Sequence, residues 1–146
     1  MVLSRSEIMA RVRGKDTKPE WRVRAFLHAA GLRYRLHVRT LPGCPDLVFP
    51  SRRCVVFIHG CFWHRHPGCS STRTPKSRAD FWERKFLDNV QRDERVKDEL
   101  RRLGWKVLLI WECETRSIGH LRNLIEEILK VPKSKNHRSG PNNEKI

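Results

Sequence analysis

The stretch CVVFIHGCFWHRHPGC, residues 54–69, joins a short apolar run to a loop of cysteine, histidine and aromatic residues. The run, Cys54–Ile58, is apolar at every position, which predicts a central strand covered on both faces. The loop that follows is rich in side chains that bind metals or carry protons. We therefore expect the core of the fold and a functional site to meet where this strand ends.

Helical and strand-like segments alternate around the central strand. Helical spacing of apolar residues predicts helices over 17–31, 77–104 and 118–129. The first begins with the capping residues Thr17, Pro19 and Glu20, and the second begins with Ser77. Apolar or alternating runs predict strands over Tyr34–Val38, Leu47–Phe49, Cys54–Ile58 and Lys106–Glu112, the last of them a second buried strand. The last strand follows a helical crossover, so it can lie parallel to its neighbour. The predicted class is α/β, with a mixed central β-sheet flanked by helices.

Composition limits the possible partners and the compartment. The 146 residues suffice for one hydrophobic core, and 31 Lys and Arg against 16 Asp and Glu give a formal charge of +15. This charge favours a polyanion such as nucleic acid, although an inert basic surface would look the same. No run approaches the roughly 20 apolar residues of a membrane span, and the first ten residues lack the core of a signal peptide. We expect a cytosolic protein whose five cysteines are thiols or metal ligands.

The two ends of the chain differ from its middle. Residues 1–16 mix basic and apolar side chains, which suits an arm that orders on a partner, or a frayed terminus. Residues 132–146 are polar and rich in Pro, Gly, Ser and Asn, which predicts a disordered tail. Residues 17–131 are the expected folded domain.

The cysteine-rich loop has the spacing of a structural zinc site. Cys61, His66 and Cys69 form a C-x4-H-x2-C pattern, and Cys113 follows the last predicted strand. If that strand lies beside the central one, Cys113 reaches the loop and completes a tetrahedral site. The spacing leaves His64 open as an alternative ligand to His66. The alternative to zinc is that Cys61 and Cys113 are buried, unligated cysteines and only Cys69 is exposed.

Two further groups of polar residues suit catalysis but also have ordinary readings. Asp46 precedes one strand and His59 ends the next, so both reach one sheet edge, where a carboxylate can bind Mg²⁺. Asp46 could equally be a turn residue after proline. Lys85, Asn89 and Asp93 share one helix face, which is either a solvated face or a wall of the same site. Glu20 fits both a helix cap and an active-site carboxylate.

Five segments taken together point to one family. PGCPDLVF (42–49), CVVFIHGCFWH (54–64), FWERK (81–85), NVQRD (89–93) and LGWKVLLIWEC (103–113) resemble the very short patch repair endonucleases, over about residues 4–115. The resemblance implies a type II restriction endonuclease-like fold. It also implies a Mg²⁺-dependent nick on the 5′ side of the thymine in T:G mismatches that arise from deamination of 5-methylcytosine.

The resemblance also implies residue roles. Asp46 and the carbonyl of Ile58 would bind Mg²⁺, and His59 and His64 would handle the scissile phosphate and proton transfer. Glu20 and Asp93 would hold metal-bound waters or orient those groups. The structural zinc would have four ligands, Cys61, His66, Cys69 and Cys113. Because His66 is the zinc ligand, His64 is assigned to catalysis.

The expected partner is double-stranded DNA with a T:G mismatch. Three aromatic residues, Phe62, Trp63 and Trp82, would wedge into the base stack, although Trp82 also fits an ordinary core position. The remaining implied DNA contacts come from Met9, in the minor groove, Lys85 and Asn89. The resemblance implies a monomer in a prokaryotic cytoplasm and leaves other repair proteins open as partners.

Two alternatives share the same residues. A zinc-stabilised DNA-binding protein without catalysis would show the same charge and ligands. A nuclease of the same fold could cut another DNA substrate. The strand after Asp46 lacks the acidic residue and lysine that many restriction nucleases carry there, with Phe57, Ile58 and His59 in their place, which argues against an ordinary restriction enzyme.

Overall fold

The structure is a computed structural model that describes residues 17–134. Its sheet has the order β1-β2-β3-β4, with β2 antiparallel to β1 and β3, and β3 parallel to β4. The strands are β1 (Arg35–Leu36), β2 (Leu47–Phe49), β3 (Cys54–His59) and β4 (Lys106–Trp111). The predicted mixed sheet is confirmed, including the parallel pairing of its last strand.

Helices cover both faces of this sheet. The long helices are α1 (Lys18–Ala29), α2 (Ala79–Arg102) and α3 (Ile118–Lys130), and short 3-10 turns cover Pro50–Arg52, Ser70–Thr72 and Glu112–Arg116. Residues of α1 and α3 pack with one sheet face, and residues near the end of α2 pack with the other. The predicted α/β class is confirmed, while the restriction endonuclease-like fold stays a prediction. Within residues 17–134, no helix has the length and apolarity needed to cross a membrane.

The strand β3 is the centre of both cores, as its sequence predicts. Cys54 and Val56 pack on the α1 and α3 side, while Val55 and Phe57 pack on the α2 side. All four side chains are buried. Because side chains alternate along a strand, an apolar run supplies both faces at once.

Two predicted boundaries and the predicted burial of the last strand are wrong in detail. The strand predicted over Tyr34–Val38 is reduced to two residues, because His37 has φ +45° and leaves the extended conformation. Ser77 does not cap α2: the helix begins after Arg78, which has left-handed backbone angles. The strand β4 lies at the edge of the described sheet and only Ile110 is fully buried, so its apolar run is half-exposed.

The strands end at different heights, and this positions the site. β2 pairs with β3 only as far as Val56, opposite Leu47, whereas β4 accompanies β3 to His59. The last three residues of β3 therefore have a strand neighbour on one side and an open side next to Asp46.

The predicted ends of the domain are tested only in part. The predicted basic arm, residues 1–16 with Met9, lies outside the described residues, as does the tail after residue 134. At the start of that predicted tail, the Ser134 N–H donates to the Ser51 carbonyl at 2.6 Å. Arg52 donates to the Val131 carbonyl at 2.6 Å. The first residues after α3 thus return to the turn between β2 and β3.

The loop before Asp46 gives a stability prediction. Gly43 has φ +71°, and a Cβ there would collide with the side chain of Val96 on α2. We expect Gly43→Ala to lower the free energy of unfolding by about 2–4 kcal/mol in denaturant titrations, from backbone strain and overpacking together.

Gly31→Ala is the matched control. Gly31 also has positive φ, but a Cβ there would meet no atom within 4 Å, so only the backbone term of about 1 kcal/mol applies. Equal losses for the two variants would show that the packing of this loop on α2 contributes nothing.

Candidate active site and metal centres

Asp46 and Ile58 meet at the open end of β3. The Oδ2 atom of Asp46 accepts a 2.7 Å hydrogen bond from the Ile58 N–H. In an extended strand the N–H and C=O of one residue point to the same side. The Ile58 carbonyl therefore lies on the Asp46 side of β3, which fits a site that uses both oxygens.

Glu20 joins Asp46 and also caps α1. Its Oε2 atom accepts a 2.7 Å hydrogen bond from the Thr17 N–H, which satisfies a donor at the start of the helix. The side chain is buried, and its carboxyl interacts with that of Asp46. The two readings of Glu20, as a cap and as a site carboxylate, therefore hold together.

The carboxylate pair has the character of a cation site. The pKa of Asp46 is raised to about 8: burial is the largest cause, the Ile58 N–H opposes the rise, the nearby Glu20 carboxyl adds to it, and Arg24 lowers it. The buried Oε1 atom of Glu20 accepts no hydrogen bond from any donor within residues 17–134. A proton on Asp46, or a divalent cation bound by both carboxyl groups, would give the Oε1 atom of Glu20 a partner. Oxygen ligands of this kind suit Mg²⁺.

His37 and Arg24 complete this group, and the sequence analysis missed both. The donor atoms of Glu20, His37 and Asp46 all lie within 4.8 Å of one another. The Nη2 atom of Arg24, a buried residue of α1, lies 3.0 Å from Nε2 of His37. The signal that could have found His37 is the register of the β1–β2 hairpin. β1 pairs Leu36 with Leu47, and extending this pairing by one residue places His37 opposite Asp46.

A second group contains the predicted catalytic histidines. Nδ1 of His64 lies 2.6 Å from Oδ2 of Asp93 on α2, and the rings of His59 and His64 stack with centroids 3.8 Å apart. Burial, and then the neighbouring His64, lowers the pKa of His59 to about 3, so this ring is neutral at physiological pH. An imidazole oriented by a carboxylate is an arrangement that can transfer protons.

The cysteine-rich loop and the end of β4 meet as predicted. Donor atoms of Cys61, His66, Cys69 and Cys113 all lie within 4.8 Å of one another. Nδ1 of His66 is 3.6 Å from the Cys61 sulfur and 3.4 Å from the Cys113 sulfur. Tetrahedral zinc with ordinary bond lengths would separate such ligand atoms by about 3.5 Å. The two distances from His66 therefore fit a tetrahedral zinc, and all four donor atoms are close enough to share one ion.

Local contacts shape this cluster. The Cys113 N–H donates to the Cys61 sulfur at 3.4 Å, and the His66 ring stacks on Trp111 with centroids 4.3 Å apart. His64 turns to Asp93 instead, so His66, and not His64, lies in the cysteine cluster. Burial raises the pKa of the Cys61 thiol to about 12, so a cation is needed to hold it as a thiolate at neutral pH.

The three aromatic residues predicted to contact DNA, Phe62, Trp63 and Trp82, lie together, but two of their rings are buried. Phe62 and Trp82 pack with Phe86 in a separate apolar cluster, with Trp63 half-buried against it. The core reading of Trp82 therefore describes the protein without DNA. A DNA-binding role for these rings stays a prediction.

The polar face of α2 turns toward the cysteine-rich loop. Asn89 donates to the Trp63 carbonyl at 3.2 Å, and Asp93 contacts His64. The ammonium of Lys85 lies 5.7 Å from the centroid of the exposed Phe81 ring. Asp93 thus enters the site through a histidine, while Asn89 fixes the loop.

Comparison with known proteins gives the family. The model of the family described as DNA mismatch endonuclease Vsr matches residues 3–70. The type II nicking enzyme V.XorIIP of Xanthomonas oryzae is 49% identical over 125 residues, covering 86% of this chain and 91% of the relative. The DNA mismatch endonuclease Vsr of Escherichia coli is 43% identical over 113 residues, which cover 77% of this chain and 72% of the relative. The chain belongs to the Vsr family.

A third relative widens the set. The type II nicking enzyme V.NmeAIP of Neisseria meningitidis is 40% identical over 126 residues, which cover 86% of this chain and 89% of the relative. The resemblance to the very short patch repair endonucleases is thereby confirmed. In this Vsr-family chain, the predicted residues form two neighbouring groups linked by adjacent Ile58 and His59, with the cysteine cluster beside them.

The buried carboxyl of Asp46 gives a pH-dependent stability prediction. Its folded pKa lies above the ordinary 3.8, so its contribution is complete below about pH 4 and is lost as pH rises toward 8. In zinc-replete, magnesium-free buffer, Asp46→Asn should therefore be more stable than the native protein at pH 8. We expect a gain on the order of a few kcal/mol, seen as a Tm higher by several degrees that shrinks by pH 5.

Asp88→Asn provides the control, because Asp88 is an exposed carboxylate of α2. Its Tm should follow that of the native protein across the same pH range. An Asp46→Asn variant that loses stability at pH 8 would contradict the inferred cost of the buried charge.

Proposed function

We propose that this Vsr-family protein nicks one strand of double-stranded DNA on the 5′ side of the thymine in T:G mismatches left by deamination of 5-methylcytosine. The family is one of DNA endonucleases, and two of the relatives are named as nicking enzymes. The observation that carries the proposal is the carboxylate pair of Asp46 and Glu20 at the open end of β3, next to the His64 and Asp93 pair.

The proposed Mg²⁺ site uses Asp46 and the Ile58 carbonyl. Bound there, Mg²⁺ supplies positive charge that stabilises the phosphoryl transition state and activates a water for attack. Glu20 adds a second carboxylate, which offsets cation charge and fixes the position of Asp46. The Ile58 N–H holds one oxygen of Asp46, so the carboxylate keeps its orientation when the proton leaves it.

His64 and His59 act on the phosphate side of the site. Asp93 holds Nδ1 of His64, which directs Nε2 away from α2 to take or give a proton. His59 remains neutral at physiological pH because it is buried beside His64. A neutral imidazole N–H can donate to a phosphate oxygen without adding a competing charge to the cation site.

The topology supports a restriction endonuclease-like fold. An antiparallel β1-β2-β3 unit precedes a helical crossover to parallel β4, and the acidic residue stands at the start of β2. The carboxylate therefore stands at the end of the sheet where β3 ends and the crossover to β4 begins.

DNA recognition uses charge and the aromatic cluster. The formal charge of +15 matches a phosphate backbone, and Lys85 and Asn89 stand on the helix face beside the loop. Trp63 is half-exposed, while Phe62 and Trp82 must leave their cluster to contact bases. Met9 would complete the contact from the arm.

Zinc has a structural role in the proposal. Cys61, His66, Cys69 and Cys113 would hold it, joining the loop after β3 to the end of β4. Zinc supplies a closed four-ligand link that stabilises a loop with little core of its own. The loop also carries His64, so the link fixes the base of the proton-transfer pair.

The first test is a strand-specific nicking assay in Mg²⁺ with T:G and C:G duplexes in several methyltransferase sequence contexts. We expect a nick 5′ of the mispaired thymine and none in the paired duplex. Asp46→Ala should lower the nicking rate by at least about 10³-fold while mismatch binding, measured by fluorescence anisotropy, is retained.

Asp88→Ala is the control and should nick at the native rate. Tight mismatch binding without a nick in any context or divalent metal would identify a non-catalytic DNA-binding protein. Equal nicking of paired duplexes would indicate another DNA substrate.

The zinc proposal is tested by metal content and stability. Cys113→Ser should lose bound zinc and show a Tm lower by about 10 °C or more, because several kcal/mol of binding free energy are lost. Cys44→Ser, outside the cluster, should keep the native zinc content. Zinc-free native protein with an unchanged Tm would refute a structural metal.

A further inference from the structure

His37 directly follows β1 and lies opposite Asp46, which directly precedes β2. Its backbone conformation differs from that of the strand. Its N–H donates to the Asp46 carbonyl at 3.3 Å, and its φ of +45° turns the chain out of the strand. Histidine adopts such left-handed angles more readily than bulky apolar residues do. The backbone thus brings the imidazole to the carboxylate pair.

Arg24 determines which ring nitrogen of His37 carries the proton. A guanidinium can only donate hydrogen bonds, so Nε2 of His37 accepts from Arg24 at 3.0 Å. With Nε2 accepting, the ring proton is on Nδ1. That nitrogen lies 3.9 Å from Oδ1 of Asp46, which is beyond hydrogen-bond distance but close enough for the polar N–H to attract the carboxylate oxygen.

Arg24 is itself held firmly. Its side chain is buried, and its guanidinium lies 5.0 Å from the centroid of the Trp21 ring. The alternative pairing, Nε2 of His37 with Oε1 of Glu20, spans 3.7 Å and would need a proton that the Arg24 contact excludes. Arg24 therefore donates to His37, while the Nδ1–H of His37 stands near Oδ1 of Asp46 beyond hydrogen-bond distance.

We propose that His37 is a positioning residue for the divalent cation: Arg24 fixes its tautomer, and its Nδ1–H orients Oδ1 of Asp46 toward the ion. The inference rests on the proposed function, because it needs the cation site at Asp46. His37 does not bind the ion, since one ring nitrogen accepts from Arg24 and the other carries a proton. Groups that orient metal ligands in this way commonly change metal affinity by about 10–100-fold.

The test measures Mn²⁺ binding to the zinc-loaded, DNA-free protein by electron paramagnetic resonance. His37→Gly keeps a residue that accepts positive φ but removes the imidazole, and should weaken Mn²⁺ binding by about 10-fold or more. His37→Asn also tolerates positive φ and places an amide donor near the position of Nδ1. It should restore binding to within about threefold of the native protein.

A merely structural role would give a different pattern. If His37→Gly binds Mn²⁺ with native affinity, or if His37→Asn binds as weakly as His37→Gly, the positioning role is wrong. Thermal unfolding of both variants in magnesium-free buffer shows whether either has lost its fold, and the comparison of Asn with Gly at similar Tm is the deciding one.

Electron spin echo measurements on bound Mn²⁺ distinguish positioning from direct ligation. The positioning role predicts no directly bonded nitrogen in the native protein, and a nitrogen coupling lost in His37→Asn would overturn it. Asp46→Ala separates this inference from the proposed function. If Asp46→Ala binds Mn²⁺ like the native protein, the proposed cation site itself fails and the inference fails with it.

Discussion

The pairing of β3 with β4 continues for three residues after β2 has ended, and both sites depend on this difference in length. On the open side of β3, the Ile58 backbone is available to Asp46. On the paired side, parallel strands bring their carboxyl ends together, so Cys61 and Cys113 follow directly into one cluster. A β2 longer by two residues would fill the first position with ladder hydrogen bonds and remove the opening for a cation.

The carboxylate pair is stable only because its neighbours are arranged around it. Two acidic groups at a buried strand end oppose each other, and burial adds to the cost. The Ile58 N–H, the Thr17 N–H and the buried Arg24 each offset part of this cost. What remains is a site whose folded state favours a proton or a cation, which is the property that a metal-dependent nuclease needs.

Local patterns in the sequence predict much of this, and non-local geometry accounts for what they miss. The spacing of Cys61, His66 and Cys69 lies within one loop, so it can be read directly. His37 reads as part of a strand, because only the backbone turn and the β1 register bring it to Asp46. The apolar run of β4 predicts burial on both faces, yet a run cannot show that no further strand of the described sheet lies beyond it.

The packed state of Phe62 and Trp82 would have an energetic consequence for the DNA recognition proposed above. Moving each ring from its cluster into water costs roughly 1.5–3 kcal/mol, and a duplex with well-stacked bases offers no apolar surface in exchange. A weakened base pair does, because unstacking it is cheaper and its neighbours can stack on the rings. In the proposed function, the folded aromatic cluster would therefore set a threshold during the search along paired DNA, because inserting the rings would be favourable only where the duplex is already weakened.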